Sequence, residues 1–163
     1  MVTDALERAK KALQFEDLFQ TTVSAWVQDG FDPKLYPVPE ASCRLQFKHT
    51  VMQSNVLEFD SNDEAEAIFR VSIGVGVRLF YDETSSDEAA VQIEASYCLD
   101  YRFTDAALKL DQEALDEFAL KNASYHLWPF WREYILSQCS RMNVPKIPLP
   151  MRFIGTNPVK PNV

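Results

Sequence analysis

Phe69-Arg70-Val71-Ser72-Ile73-Gly74-Val75-Gly76-Val77-Arg78-Leu79-Phe80-Tyr81 and, a little further on, Ala89-Ala90-Val91-Gln92-Ile93-Glu94-Ala95-Ser96-Tyr97-Cys98-Leu99-Asp100-Tyr101-Arg102-Phe103 decide the fold of this chain. In the first run Phe69, Val71, Ile73, Val75, Val77, Leu79 and Tyr81 share one face, against Arg70, Ser72, Gly74, Gly76 and Arg78. In the second, Ala89, Val91, Ile93, Ala95, Tyr97, Leu99, Tyr101 and Phe103 do the same. Alternation sustained over so many residues predicts two β-strands. The acidic, Ser-rich connection from Asp82 to Glu88 is short, which makes them an antiparallel hairpin. Gly74-x-Gly76 lies inside an alternating strand with no helix after it, so it fails the context of a dinucleotide loop. It marks a bend or a close backbone approach.

Towards the N-terminus the pattern predicts two more strands and a helix. Phe15, Phe19, Val23, Ala25 and Val27 alternate with Gln20, Thr22 and Ser24, with a bulge expected near Asp17, which breaks the apolar face. Cys43, Leu45, Phe47 and Val51 alternate with Arg44, Gln46, Lys48 and Thr50, and this strand runs on towards Leu57 and Phe59. Between them Gly30 to Glu40 carries Pro33, Pro37 and Pro39, which excludes a central strand and suits a crossover. Asp60 to Glu64 reads as a solvated loop. Thr3 to Leu13 reads as a helix: Thr3 is an N-cap, Asp4 and Glu7 stand in its first turn, and Ala5, Leu6, Ala9, Ala12 and Leu13 form its stripe.

After the hairpin, Asp111 caps a helix carrying Leu115, Phe118 and Ala119. A second helix is predicted to begin near Pro129, whose missing N–H is harmless only in a first turn. Trp128, Trp131, Ile135, Cys139 and Met142 form one stripe on it, and Leu127, Phe130, Tyr134 and Leu136 widen the apolar arc. One sheet needs an arc only slightly over 100° wide, so the surplus predicts a second buried contact, with another subunit as the favoured occupant and the N-terminal helix of the same chain as the alternative. Trp128, Trp131, Ile135 and Met142 are the expected oligomer interface. The order helix, strand, crossover, three strands, two helices predicts an α+β fold: a four-stranded antiparallel sheet with helices packed on one face.

The chain has 163 residues, enough for one domain spanning 1–163, with 1–14 as an extra N-terminal helix and 154–163 as a flexible tail. It carries 24 acidic and 16 basic residues, a net charge of −8, which argues against nucleic acid as a partner. Three dispersed cysteines, Cys43, Cys98 and Cys139, include no Cys-x-x-Cys pair, so neither a zinc site nor a disulfide framework is expected. With no signal segment or membrane-spanning run, a cytoplasmic protein without membrane insertion is expected. The acidic clusters lie in polar loops and a helix start, as solvated charge. His126 has no recognisable Ser or Cys nucleophile beside it. Catalytic residues, metal and cofactors are all expected to be absent.

Leu127-Trp128-Pro129-Phe130-Trp131-Arg132-Glu133, followed by Arg141 and by Pro145-Lys146-Ile147-Pro148-Leu149, resembles the signature of SecB-type chaperones. That signature reads Leu-Phe-Pro-Tyr-x-Arg-Glu, then a helix ending in Arg-Gly, then Pro-x-Leu-x-Leu. The resemblance spans roughly Phe15 to Phe153. It implies the same sheet with a crossover after its first strand, a homotetramer (a dimer of dimers) with helices sandwiched between two sheets, and ATP-independent holding of unfolded polypeptide rather than enzymatic activity.

Two proline-ruled segments carry the client-binding expectation. Val144, Ile147, Leu149 and Met151 are displayed along a stiff extended backbone, and Phe31, Leu35, Tyr36 and Val38 stand among the prolines of the crossover. In SecB-like chaperones the corresponding segments line the client groove, so the resemblance implies that these eight residues do so here. It also implies a docking face for the SecA motor built from acidic residues. Glu94 keeps one such position as a translocase contact, whereas Thr22 and Trp26 stand where acidic residues would, and Gln92 where an apolar one would. Met142 replaces the usual glycine of the helix end, so Asn143 is expected to take the left-handed capping role instead. The eroded acidic face and the extra N-terminal helix lean towards the SecB-like chaperones of toxin–antitoxin modules, which protect an antitoxin. Delivery of preproteins to the Sec translocase is the alternative. A second alternative is a small-ligand or enzymatic site on the concave sheet face, with His126 or Glu94 as its polar group.

Overall fold

The computed structural model describes residues 3–35, 43–61, 64–81 and 87–149. Helix α1 (Asp4–Ala12) leads directly into strand β1 (Leu13–Val27). Strands β2 (Cys43–Ser61), β3 (Glu64–Tyr81) and β4 (Val91–Phe103) follow, then a 3-10 turn (Ala106–Leu110) and helices α2 (Gln112–Lys121) and α3 (Ala123–Arg141). The four strands form one antiparallel sheet in the order β1-β4-β3-β2. Its edges are β1 and β2, so the chain between Val27 and Cys43 joins opposite edges. The crossover and the α+β class read from the sequence are both present.

The central pair accounts for the layering. Val71, Ile73, Val75, Val77, Val91, Ile93, Leu99 and Tyr101 are all buried on one face. The other face carries Arg70, Arg78, Glu94 and Arg102, and no helix covers it. Helix α3 lies on β3 and β4, α2 reaches β2, and α1 packs on α2. The outer helix is tied down by its own polar residues. The Thr3 hydroxyl accepts from the Leu6 N–H at 3.2 Å and donates to Glu117 at 3.0 Å, while Arg8 donates to the α2 cap Asp111 at 2.9 Å.

Strand β1 carries two bulges, at Phe15/Asp17 and Gln20/Thr22. Each adds one unpaired residue and so inverts the alternation beyond it. The residues on the helix-covered face are therefore Phe15, Leu18, Gln20, Val23, Ala25 and Val27, opposite Tyr101, Leu99, Tyr97, Ala95, Ile93 and Val91. Phe19 departs from its expected face; it lies opposite Cys98 on the open side, with the Arg70 guanidinium 5.1 Å above its ring. A third bulge, at Val51/Gln53 in β2, likewise turns Val56 inward and Leu57 and Phe59 outward. The predicted loop at 60–64 is narrower than expected: pairing continues to Ser61↔Glu64.

Helix α3 begins six residues before Pro129, at Ala123. Its proline sits on the exposed side, where the ring meets solvent instead of the core. The helix buries Ala123, Leu127, Trp131, Ile135 and Cys139, one residue every four, together with Ser124. Trp131 is 1% exposed and Ile135 is fully covered within the single chain. Both therefore leave the expected oligomer interface, because their own sheet already encloses them. The helix ends in a Schellman motif. Asn143 has φ 55°, its N–H bonds to Ser140 O at 3.4 Å, and the Val144 N–H bonds to Cys139 O at 3.0 Å.

Trp131→Asp is expected to unfold the chain rather than release folded monomers. Truncating a buried Trp costs about 3–5 kcal/mol, an unpaired buried carboxylate adds several more, and total stability is about 5–15 kcal/mol. Loss of the far-UV circular dichroism signal is the readout. A folded, monomeric variant would contradict the burial described.

Candidate interaction surface

The residues expected to bind extended polypeptide divide by accessibility. Leu35 is 74% exposed. Phe31 is half-buried, its ring 4.7 Å from that of Tyr81, and Leu149 is half-buried against the core. Val144 and Ile147, by contrast, are buried within the chain. The Schellman turn directs Val144 back onto the core, so these two cannot meet a partner while the chain is folded. Tyr36, Val38 and Met151 lie outside the described residues.

A second apolar surface was only half visible in the sequence. On the side of α3 away from the sheet, Phe130 is 49% and Leu136 40% exposed. With Trp128, Arg132, Glu133 and Lys146, Leu136 lines an open hollow of about 790 Å³. Trp128 and Met142, from the expected oligomer interface, are half-buried and pack partly against the core. The accessible surface of the helix is therefore Trp128, Phe130 and Leu136. The signal that separates them from Trp131 and Ile135 is the four-residue repeat of the buried row.

Among the described residues, His126 and Glu94 do not meet. His126 shares a 2.9 Å hydrogen bond with the Tyr101 hydroxyl, ringed by Phe15 and Phe118 on the helix-covered face. Burial lowers the His126 pKa and raises that of Tyr101, so both are held neutral. Glu94 is on the other face, 3.8 Å from Arg78. The sheet itself thus separates His126 from Glu94. Ser124 and His49 are hydrogen-bonded at 2.7 Å, a pairing that can activate a nucleophile. Ser124 is wholly enclosed, however, which closes its hydroxyl to any substrate. Among the described residues no group of His, Cys, Asp and Glu side chains could hold a metal ion, and no helix is long and apolar enough to cross a membrane.

The open face carries exposed Phe19, Trp26, Met52 and Phe59. The Arg70–Asp100 pair is bidentate, with both bonds 2.7 Å, and it lies where Asp17 stands opposite Asp100. The guanidinium thereby offsets the repulsion of two carboxylates placed across a strand pair. Gly76 gives Glu94 room: a Cβ there would come within 3.0 Å of the Glu94 Cγ, the close approach foreseen for the Gly-x-Gly.

Burial of neutral His126 makes stability depend on pH. The unfolded chain takes up the proton first as pH falls, so the contribution is complete above about 6.5, the ordinary histidine value, and is lost as pH drops through the lower folded pKa. Denaturant midpoints between about pH 8 and about pH 5 are expected to fall towards acid, and His126→Gln to flatten that slope. An unchanged slope in the variant would assign the effect elsewhere.

No family model matches the chain, and neither does any curated protein sequence. Among solved structures, it is similar to the "Mycobacterium tuberculosis Rv1957 SecB-like chaperone in complex with a ChAD peptide from Rv1956 HigA1 antitoxin". The TM-score is 0.68 at 16% sequence identity, over 94% of this chain and 100% of that one. With its strand order, single helix-covered face and long third helix, the chain has the fold of that SecB-like chaperone.

Proposed function

We propose that the chain is an ATP-independent holdase that binds unfolded or aggregation-prone polypeptide, and that its client is the antitoxin of a toxin–antitoxin–chaperone system. The observation that carries this reading is apolar surface left uncovered on a chain with a complete core. Leu35, Phe31 and Leu149 stand at the two proline-ruled segments, and Phe130, Leu136 and Trp128 on α3. Such surface binds by area rather than by a sequence-specific constellation, at roughly 25 cal/mol per Å² buried. The fold, shared with a chaperone solved on an antitoxin peptide, supports the choice of client. Thr22 and Trp26 on β1, where a SecA docking face would have acidic residues, disfavour translocase delivery.

The two surfaces have different roles in this proposal. The proline-ruled segments take the client, and the outer side of α3 meets a second copy, giving a dimer or tetramer that works without cofactor, metal or catalytic residue in the cytoplasm. A charged pair, Arg132 and Glu133, borders the hollow and gives a self-facing surface its orientation.

Two measurements test this. Leu35→Ser combined with Leu149→Ser is expected to weaken binding of an unfolded client at least tenfold, because each buried apolar side chain contributes about 1.5–3 kcal/mol. That loss is expected to be nearly independent of salt. Unchanged affinity in the folded double variant would remove these segments from the site. Separately, sedimentation at low micromolar concentration is expected to show an assembly. Phe130→Asp with Leu136→Asp should convert it to folded monomer, unlike Trp131→Asp. A parent that sediments only as the 18.7 kDa chain would refute the assembly.

A further inference from the structure

The open face is electrostatically divided in a way that the chain's net charge of −8 conceals. Towards its β1–β4 side the cations are neutralised: Arg70, which stands on β3, by Asp100 of β4, and Arg102 of β4 by Glu16 of β1. On the β2–β3 half stand Arg44, Lys48 and Arg78, all exposed. Arg78 has Glu94 at 3.8 Å, and Arg44 lies over the Phe80 ring at 4.7 Å. Among the described residues no carboxylate comes within ion-pair distance of Arg44 or Lys48. The patch is a local excess of positive charge on an acidic protein.

Its geometry is regular because register sets it. Arg78 pairs with Gln46, midway between Arg44 and Lys48 on β2. Four residues along a strand span about 13 Å, and neighbouring strands are about 5 Å apart. The three cations thus form a shallow triangle whose long side matches positions i and i+4 of an extended chain, with i+2 at the level of Arg78. At the Lys48 end Gly76 has no side chain and the Glu94 side chain crosses the space over it, while Gly74, opposite Thr50, is overhung by Met52. Gln46 and Thr50 supply neutral hydrogen-bonding groups, and exposed Met52 supplies an apolar contact.

We propose that the β2–β3 half of the open face docks a short, extended acidic segment of a partner protein, with carboxylates on alternate residues meeting Arg44, Arg78 and Lys48. Charge complementarity selects this occupant. A basic partner finds no free carboxylate cluster here. A long nucleic acid would have to run beyond the triangle towards Asp17 and Asp100 on the same face. The surface lies on the opposite side of the sheet from the helices and is independent of the apolar segments assigned to the client, so a docked partner and a held client are compatible.

The test uses the full chain and a fluorescent peptide of alternating glutamate and threonine, followed by anisotropy. Binding is expected at low ionic strength and should weaken at least tenfold at physiological salt, where the screening length is about 8 Å. Arg44→Ser/Lys48→Ser/Arg78→Ser should lose at least tenfold at low salt, with Lys48→Ser alone intermediate. Lys10→Ser/Lys11→Ser/Lys121→Ser, the same charge change placed on the helices, should bind as the parent does. Absence of peptide binding at low salt, equal loss in the helix control, or tighter binding of single-stranded DNA than of the peptide would each overturn the proposal. Client affinity measured on the same variants should stay unchanged, which separates failure here from failure of the holdase reading.

Discussion

The row Leu127, Trp131, Ile135 and Cys139, laid along the apolar face of β3 and β4, is the contact on which the rest of the molecule depends. Side chains four apart stack over one another on a helix, so this row is only one residue wide. A narrow row seats the helix over the centre of the sheet and satisfies the two strands whose inward residues are uniformly apolar. It leaves Phe130 and Leu136 outside the contact, Trp128 only partly within it, and the edge strands only partly covered. Unsatisfied apolar surface on both the helix and the sheet margins therefore follows from one packing choice.

The same choice makes the sheet two-sided. One face is dry, and its polar groups are locked in pairs: His126 with Tyr101, Ser124 with His49. The other face is wet and holds the charges. His126, on α3, and Glu94, on the open side of β4, are separated by the thickness of the sheet. The sidedness also keeps apolar and electrostatic recognition apart, so that they can act on different partners.

Much of this was legible beforehand where the determinant is local. Thr3 and Asp111 cap their helices because a short side chain accepts from the N–H three residues on. Asn143 takes the left-handed position where glycine is absent. The β3–β4 hairpin was visible because both of its strands alternate without interruption. The bulges were harder. A bulge near Asp17 was expected, but the inversion of Phe19 required knowing that Asp17 pairs with Asp100 and Leu18 with Leu99. Likewise the start of α3 was placed at Pro129 by the general cost of an internal proline. That cost is tolerated where the ring faces solvent, and the facing is a property of the packed helix.

The sequence by itself determined the class, the number of strands, their hairpin order and the amphipathic faces, because periodicity and caps are written in neighbouring residues. Tertiary structure alone decided which apolar residues are spent on the core and which remain for partners. Trp131 and Trp128, or Ile147 and Leu35, are alike in composition and context. They differ only in whether another element of the same chain reaches them, and that depends on where α3 and its C-terminal turn come to rest on the sheet. Tertiary structure also gathered Arg44, Lys48 and Arg78 into one patch. Strand register brings together across a ladder charges that lie far apart along the chain, and net composition cannot express that.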